Sequence, residues 1–315
     1  MNKKLLNVIL TIIIICLSVL LYILIMHFNK EPEPIEKEPE IDPITEKLSH
    51  LGYKTEDISY IKETFTEEQI NLHLLSKKYK SLINYSKSKG FNIENLERYE
   101  SYKQKNKTLK EDKIVLYTEI GLDKEFYSDI KTIDTFDKLC LVNKYYRLPE
   151  NYSAENLVTL DKNYSSSSQK MKKEAANYMK SLIDDAKKEG YNLTVISGYR
   201  TQSLQNTLFT NSEKKNGLEH ALMYSAKPGH SEHQTGYAAD LNSVEESFAD
   251  TKEYTWLKEN AYKYGFIERY PKGKEFITGY GYEPWHYRYV GINAATIIQN
   301  EQITFEEYYI KYIKS

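Results

Sequence analysis

Cysteine is scarce in this 315-residue chain. Cys16 lies within an apolar N-terminal run, and Cys140 is the one other cysteine. The part of the chain after the first 30 residues therefore has no intrachain disulfide framework. Cys140 belongs to the apolar stretch DKLCLVNKYY, so we expect a buried, inert thiol rather than a nucleophile.

The chain also lacks an excess of charge of either sign. It has 43 basic and 45 acidic residues, a formal net charge of −2. Binding to nucleic acid usually requires a basic surface or stripe, so this composition predicts no nucleic-acid partner.

Charged residues are absent between Leu5 and Phe28. At ~1.5 Å per helical residue, this run can cross the ~30 Å hydrocarbon layer of a membrane. It is followed by no small-x-small cleavage site, and no small residues of a lipoprotein signal precede Cys16, so we predict a retained anchor over residues 1–29. Lys3 and Lys4 precede the run and an acidic stretch follows it. We therefore expect a single-pass protein of the cell membrane, with a cytoplasmic N-terminus and the rest outside the cell.

Two segments follow the predicted anchor. Residues 30–43, KEPEPIEKEPEIDP, predict a stiff, solvated stalk, because proline restricts the backbone and the like charges repel one another. Residues 44–135 mix charged and apolar residues at helical spacing and predict a helical module. Within it, residues 51–61 resemble residues 89–99 at an offset of 38, each with a glycine, an aromatic residue and a polar cluster that can open a helix. A spacer without chemistry and a module that binds the cell wall or a partner both remain possible.

The pattern changes in residues 136–315. The stretch LCLVNKYYRLPENY predicts a strand that runs into a proline turn, and YNLTVISGYRT predicts a half-buried strand over residues 193–197. Between them, apolar residues recur along one helical face up to a stop at Gly190: Met171, Ala175, Tyr178, Met179, Leu182, Ile183 and Ala186. Helices and strands interleave without regular βαβ spacing, so we predict an α+β fold with a mainly antiparallel sheet flanked by helices.

Two of the seven histidines lie three residues apart in PGHSEHQTGYAAD, residues 228–240. His230, His233 and Asp240 are ligand types for Zn²⁺, but histidines beside glycine and serine are also common in exposed loops. His286 in EPWHYRYV offers a third ligand, and Glu283 three residues before it offers a carboxylate that can take a proton. These additions favour a metal site.

An arginine completes the set of candidate residues. Arg200 follows the predicted strand in SGYRT, and its fixed fork of N–H donors suits a substrate carboxylate. Pro284 directly after Glu283 disfavours helix at that glutamate, so Glu283 and His286 are expected in a bent or extended segment.

The segments SGYRTQSLQ, KPGHSEHQTGYAADL and EPWHYRYVG resemble the zinc carboxypeptidases of the VanY type, within the D-alanyl-D-alanine peptidases. The resemblance covers about residues 138–295 and includes the motifs S-x-H-x-x-G-x-A-x-D, from Ser231 to Asp240, and E-x-W-H, from Glu283 to His286. Tyr237 departs from the family pattern, which more often has an aliphatic residue there. The resemblance implies the D-Ala-D-Ala metallopeptidase fold, also called hedgehog-like, for residues 136–315.

The resemblance also implies a role for each candidate residue. His233, Asp240 and His286 would bind Zn²⁺, and Glu283 would be the general base that later protonates the leaving amine. Arg200 would receive the terminal carboxylate of the substrate, with help from Ser231 and support from Gln205. His230 has no metal role in the family pattern, so we expect it to form hydrogen bonds or to pack. Apart from the resemblance, Arg288 between Tyr287 and Tyr289 is either a supporting contact of the site or a surface residue.

The implied function is the removal of the C-terminal D-Ala from peptidoglycan stem peptides by metal-activated water. Similar motifs occur in L,D-carboxypeptidases that act on stem tetrapeptides, and the sequence does not resolve the pocket that distinguishes the two. An inactive relict that binds the cell wall is the third hypothesis, although every expected ligand and the expected base are present.

Overall fold

The computed structural model of the protein describes residues 2–29 and 41–314. Helix α1, Lys3–Phe28, is exposed along its whole length. By length and composition it is a candidate membrane span, a test that a signal sequence near the N-terminus also passes. The predicted stalk lies outside the described residues except for its last three positions.

Six short helices form the first folded region. The first begins at Pro43, where the side chain of Asp42 accepts hydrogen bonds from the backbone N–H groups of Ile44 and Thr45, a standard way to satisfy a helix N-terminus. The six helices are α2 Pro43–His50, α3 Thr55–Thr64, α4 Glu67–Gln69, α5 Leu82–Ser86, α6 Leu96–Lys105 and α7 Glu111–Ile120. They surround one apolar core. The helical part of the module predicted over residues 44–135 thus ends at Ile120, and residues 121–135 contain no helix.

The two similar sequence segments adopt similar local structures. Gly52 and Gly90 both have positive φ, 85° and 80°, a region that glycine enters without steric cost. The aromatic residue after each glycine packs into the module core, Tyr53 in one segment and Phe91 in the other. The weak repeat therefore corresponds to two equivalent turns, each followed by a helix.

The segment after Ile120 joins the helical module to the rest of the chain. Strand β1, Lys131–Thr132, pairs in parallel with β2, Tyr146–Arg147, and the predicted boundary between residues 135 and 136 falls inside this connection. The prediction of a strand from residue 139 onward is wrong except at β2. The chain forms a turn there instead, because the side-chain oxygen of Asn143 accepts hydrogen bonds from the backbone N–H groups of Tyr145 and Tyr146.

The remaining elements form a four-stranded sheet, a small hairpin and seven helices. In chain order they are β3 Leu157–Thr159, β4 Lys170–Lys172, α8 Lys173–Lys188, β5 Val195–Ser197, α9 Gln202–Asn216, α10 Leu218–Tyr224, β6 Ala238–Leu241, α11 Lys252–Asn260, β7 Phe266–Tyr270, α12 Glu275–Thr278, β8 Glu283–Tyr289, α13 Ile292–Glu301 and α14 Phe305–Tyr312. The sheet order is β5-β6-β8-β7, with every neighbouring pair antiparallel. The predicted α+β fold with a mainly antiparallel sheet is confirmed.

The amphipathic helix predicted before Gly190 is α8, but it starts later than expected. Met171 does not lie on the helix, because it pairs with Val158 in the β3–β4 hairpin. Tyr178 lies at the edge of the apolar face with 36% exposure. The positions from Ala175 to Ala186 otherwise pack into the core as the helical spacing predicts.

The two faces of the sheet carry different kinds of side chain, because successive side chains of a strand point to opposite sides. Trp285, Tyr287 and Tyr289 of β8 pack with α8 and α11 in the main apolar core. The alternate positions, His286 and Arg288, point to the other face, which is also buried. Polar side chains therefore lie together in a buried layer on that second face.

The helical module packs against the C-terminal helix of the chain. Leu116 and Ile120 of α7 form an apolar cluster with Ile277 and Ile310. Gly90 approaches Ile310 so closely that a Cβ at this position would lie 2.5 Å from the Cγ2 of Ile310. Glycine at position 90 thus serves both the turn and the contact between the two regions.

Candidate active site

Three buried side chains of metal-ligand type meet on the polar face of the sheet. Asp240 of β6 lies directly opposite His286 of β8 in the antiparallel register. His233 comes from a short 3₁₀ turn, Glu232–Thr235, that precedes β6. One ligand atom from each residue lies within 4.8 Å of the other two. Strand pairing and a tight turn thus bring together three residues that span more than 50 positions of sequence.

The two histidines present opposite ring nitrogens to this centre. Nδ1 of His233 lies 2.7 Å from the carbonyl oxygen of Gly198 and donates to it, which leaves Nε2 3.3 Å from Oδ1 of Asp240. His286 instead approaches the same Oδ1 with its Nδ1, also at 3.3 Å. Each ring is therefore oriented so that one lone pair can face a shared cation.

Unsatisfied buried atoms show that this donor set fits a metal ion. Among the described residues, neither Nε2 of His233 nor Oδ1 of Asp240 has a hydrogen-bond partner, although buried polar atoms are normally paired. Two imidazoles and one carboxylate are the ligands of many catalytic zinc sites, which use three protein ligands and keep a fourth position open. The residues present thus fit Zn²⁺.

The electrostatics of the three groups follow from their burial and proximity. Burial and, to a lesser extent, the charge of Arg200 lower the pKa of His233 to about 4. Burial alone would also lower the pKa of His286, but hydrogen bonds and charge from Asp240 and Glu232 raise it to about 9. Asp240 has a pKa well below its usual range, because His233, His286 and Arg200 outweigh the effect of burial.

Glu283 stands beside the three ligand-type residues at the start of β8. Its Oε2 lies 3.6 Å from Nδ1 of His286, and the strand conformation of residues 283–289 agrees with the extended segment predicted from Pro284. Burial raises the pKa of Glu283 to about 8, although the nearby His286 opposes the rise. A carboxylate in this position can accept a proton and later release it.

Arg200 lies on the other side of Asp240. Its Nη2 donates to Oδ2 of Asp240 at 3.2 Å, and its Nη1 donates to Oε1 of Gln205 at 2.9 Å. Gln205 is buried and also donates to the carbonyl oxygen of Ala226. The guanidinium is thus held in place by two partners, and further N–H groups of the fork stay available to a ligand.

A cleft of about 600 Å³ opens onto these residues. Ser231 and Trp285 line it together with the candidate base and ligands, as do three aromatic side chains and two further glutamates that the sequence did not single out: Tyr224, Tyr270, Tyr280, Glu245 and Glu246. Their sequence positions offered no signal, because none belongs to a motif or a regular period.

His230 lies outside the three-residue centre. Its Nδ1 donates to the carbonyl oxygen of Asn143 at 2.7 Å, and its ring packs edge-on against Tyr127. Burial lowers its pKa to about 4. The structure gives His230 a packing and hydrogen-bonding position, which is the one expected of it.

The sequence missed a network of buried charges beneath the centre. Glu232, Arg269, Arg288 and Glu306 are all almost completely buried and contact one another. Arg288 thus proves to be a buried partner of the site region and not a surface residue. Burial alone would raise the pKa of Glu232, but the two arginines hold it well below its usual range. The one feature of the sequence that pointed to this network was the position of Glu232 next to His233.

Cys140 is buried as predicted, and its carbonyl oxygen accepts a hydrogen bond from Arg288.

Comparisons with known proteins agree with this geometry. The family model of VanY, described as D-alanyl-D-alanine carboxypeptidase, matches residues 168–292. The putative carboxypeptidase YodJ of Bacillus subtilis (strain 168) is 44% identical over 211 residues, which cover 62% of this chain and 77% of that protein. A D-alanyl-D-alanine carboxypeptidase of Enterococcus faecalis (strain ATCC 700802 / V583) is 38% identical over 182 residues, 54% of this chain and 65% of that protein.

A solved structure of the LdcB LD-carboxypeptidase, described as revealing the molecular basis of peptidoglycan recognition, superimposes with a TM-score of 0.55. It shares 45% sequence identity and covers 58% of this chain and 91% of its own. The sequence motifs, the site geometry and these matches lead to one conclusion: the chain belongs to the VanY family of D-alanyl-D-alanine carboxypeptidases.

Proposed function

We propose that the protein is a zinc-dependent carboxypeptidase that removes the C-terminal D-Ala from peptidoglycan stem pentapeptides outside the cell. The observation behind the proposal is the convergence of three buried ligand-type atoms, with Glu283 on one side and Arg200 on the other, in one open cleft. Nε2 of His233, Oδ1 of Asp240 and Nδ1 of His286 would hold the Zn²⁺. When bound, the ion acidifies water and polarises a substrate carbonyl.

The chain's own residues account for orientation and proton transfer. Arg200 would donate hydrogen bonds to the terminal carboxylate of the substrate, so that cleavage falls at the last peptide bond and not within the chain. Glu283 would take the proton of the attacking water and pass it to the leaving amine. The carbon–oxygen bond to water would form first; the carbon–nitrogen bond would then break as the amine takes the proton, which releases D-Ala and leaves a new carboxylate on the shortened peptide.

A second specificity has its own support. The LdcB structure, at 45% identity, is described as that of an LD-carboxypeptidase, whereas the Enterococcus faecalis relative is a D-alanyl-D-alanine carboxypeptidase. The alternative function is therefore the removal of D-Ala from stem tetrapeptides by the same metal, base and arginine.

Both specificities are tested in one experiment. The full-length chain in detergent is incubated separately with stem pentapeptide and stem tetrapeptide, with and without a zinc chelator, and the products are weighed by mass spectrometry. Loss of one alanine from pentapeptide alone, abolished by the chelator, is the expected result, and loss from tetrapeptide alone would assign the L,D specificity. If the protein binds zinc but cleaves neither peptide, it is an inactive relict.

The N-terminal helix supports a proposal about the cellular location. We infer that α1 is a retained anchor, with Lys3 and Lys4 in the cytoplasm and residues 41–314 outside. Protease added to intact cells without a wall should then degrade the cleft-bearing region. If that region is protected in intact cells and becomes degradable only after lysis, the orientation is the opposite of the one proposed.

A further inference from the structure

Glu232 is completely buried directly beneath the proposed metal site, and its two carboxylate oxygens have different surroundings. Oε1 accepts a hydrogen bond from Nε of Arg269 at 2.8 Å and lies 3.1 Å from Nη1 of Arg288. Oε2 accepts no hydrogen bond from any residue that the structure describes. A buried carboxylate normally uses both oxygens, so the unpartnered one requires an explanation.

The ring of His286 faces that unpartnered oxygen. Nε2 of His286 lies 3.5 Å from Oε2 of Glu232 and, within residues 41–314, has no hydrogen-bond partner either. Nδ1, on the opposite side of the ring, points to the shared centre at 3.3 Å from Asp240. If Nδ1 is to be a ligand, the ring proton must reside on Nε2, where Glu232 is the available acceptor.

We propose that Glu232 is a positioning residue for His286: its Oε2 accepts a hydrogen bond from Nε2–H, so that the Nδ1 lone pair faces the cation. The proposal rests on the proposed metal site. A carboxylate behind a histidine ligand fixes the tautomer and the orientation of the ring and makes the ligand more basic. His233 achieves the same orientation with the carbonyl oxygen of Gly198, so each of the two histidines has its own acceptor.

The position of Glu232 is itself set by a network that extends beyond the residues of the family match. Arg269 binds Glu306 of α14 through both terminal nitrogens, at 2.9 and 2.5 Å, and Asn143 donates to the same carboxylate at 3.2 Å. Glu306 and Asn143 both lie outside residues 168–292. The C-terminal helix thus helps to hold Arg269, which in turn binds Glu232.

Charge balance explains how such a network can be buried. Glu232 and Glu306 face Arg269 and Arg288, two carboxylates and two guanidiniums with almost no exposure. Isolated buried charges cost several kcal/mol each, whereas paired ones are tolerated. A purely structural network would use every oxygen. The open oxygen beside His286 is what points to a role at the metal.

The test compares two isosteric substitutions in the full-length protein. Glu232→Gln keeps one acceptor oxygen, which Arg269 and Arg288 require, so a donor NH2 group would replace the oxygen that faces His286. Glu306→Gln weakens the same network at Arg269 without touching a ligand-type residue. Zinc affinity is measured by competition with a chelator, the Co²⁺-substituted forms are compared by their visible spectra, and the melting temperature of each metal-free protein is recorded.

We expect Glu232→Gln to weaken zinc binding by about 10–100-fold and to alter the Co²⁺ spectrum. Glu306→Gln should lower the melting temperature but keep zinc affinity within about threefold of wild type. If Glu232→Gln does not fold, Glu232→Asp, which keeps the charge but retracts the oxygen from His286, replaces it with the same expectation. Wild-type zinc affinity in the Glu232 variant, or an equal loss in Glu306→Gln, would overturn the inference. A wild-type protein that binds no zinc would instead refute the proposed function.

Discussion

The helical module and the C-terminal domain bury different kinds of side chain. The module core consists of aliphatic and aromatic residues, and Glu119 is the one buried charged residue in it among those described. The C-terminal domain buries more charged residues: Lys144, Glu232, Asp240, Arg269, Glu283, Arg288, Glu306 and Glu307. Because buried charges are tolerated only when they are paired, the C-terminal domain depends on buried ion pairs near the proposed site, whereas the module depends mainly on apolar packing.

This contrast predicts that substitutions in the two regions have separable effects. Changes on the polar face of the sheet should act on activity or metal binding. Changes in the module should act on stability alone.

The largest effect is expected at Glu283. Replacing the base by glutamine, Glu283→Gln, should lower kcat by about 10²–10⁴-fold, while zinc content and melting temperature stay near those of wild type. His73→Gln in the module is the matched control and should leave kcat unchanged. Steady-state kinetics on the cleaved stem peptide check both, and a fully active Glu283→Gln would show that another group transfers the proton.

A core substitution in the module should act on stability instead. Leu74 is fully buried there, and Leu74→Ala should reduce the free energy of unfolding by about 2–5 kcal/mol through lost packing. Urea unfolding measures the loss, and kcat per folded molecule should not change at a temperature where the variant is folded. A parallel fall in kcat would contradict the expectation that module substitutions act on stability alone, since the module would then contribute directly to catalysis.

Acid should destabilise the fold in part by protonating His230. The packed Tyr127 ring and the nearby Lys227 and Arg147 surround it, and burial lowers its pKa from 6.5 to about 4. The folded state therefore favours the neutral ring. The stability that depends on it is complete above about pH 6.5 and declines as the pH falls toward 4, by about 2 kcal/mol at pH 5. His230→Gln keeps a donor for Asn143 and should lose about that much less stability between pH 7 and pH 5 in urea unfolding. An identical loss in variant and wild type would show that other groups control acid unfolding.

The smallest effect is expected where the two regions meet. Nζ of Lys113 in the module lies 3.2 Å from Oε1 of Glu307 in α14, and Lys113 is 39% exposed. Glu307 also has Lys274 and the backbone N–H of Thr304 as partners. Lys113→Met should therefore cost at most about 1 kcal/mol, and the difference should shrink in high salt. A larger, salt-independent loss would mean that packing by the lysine stem, and not its charge, joins the regions.

Motif residues were predictable from the sequence, because ligand, base and anchor types recur at spacings that a strand and a turn can bring together. His233, Asp240, His286, Glu283 and Arg200 became candidates in this way together with His230, and the resemblance to the VanY family then set His230 apart and supplied the roles. The structure brings those five residues around one cleft. Elements without such spacing were harder to predict. Met171 fitted a helical period but pairs in a hairpin. The apolar run before Tyr146 forms a turn, because the side chain of Asn143 accepts hydrogen bonds from the backbone N–H groups of Tyr145 and Tyr146.

The sequence by itself determined the α+β class, the N-terminal apolar helix and the type of chemistry, since these depend on local periodicity and on the identity of reactive side chains. The tertiary structure alone decided which nitrogen of each histidine faces the centre, because that depends on acceptors supplied from elsewhere in the chain. It also decided that Arg269, Arg288 and Glu306 support the site. Their pairing joins strands and a helix that are distant in sequence, and no local pattern records a contact made across the fold.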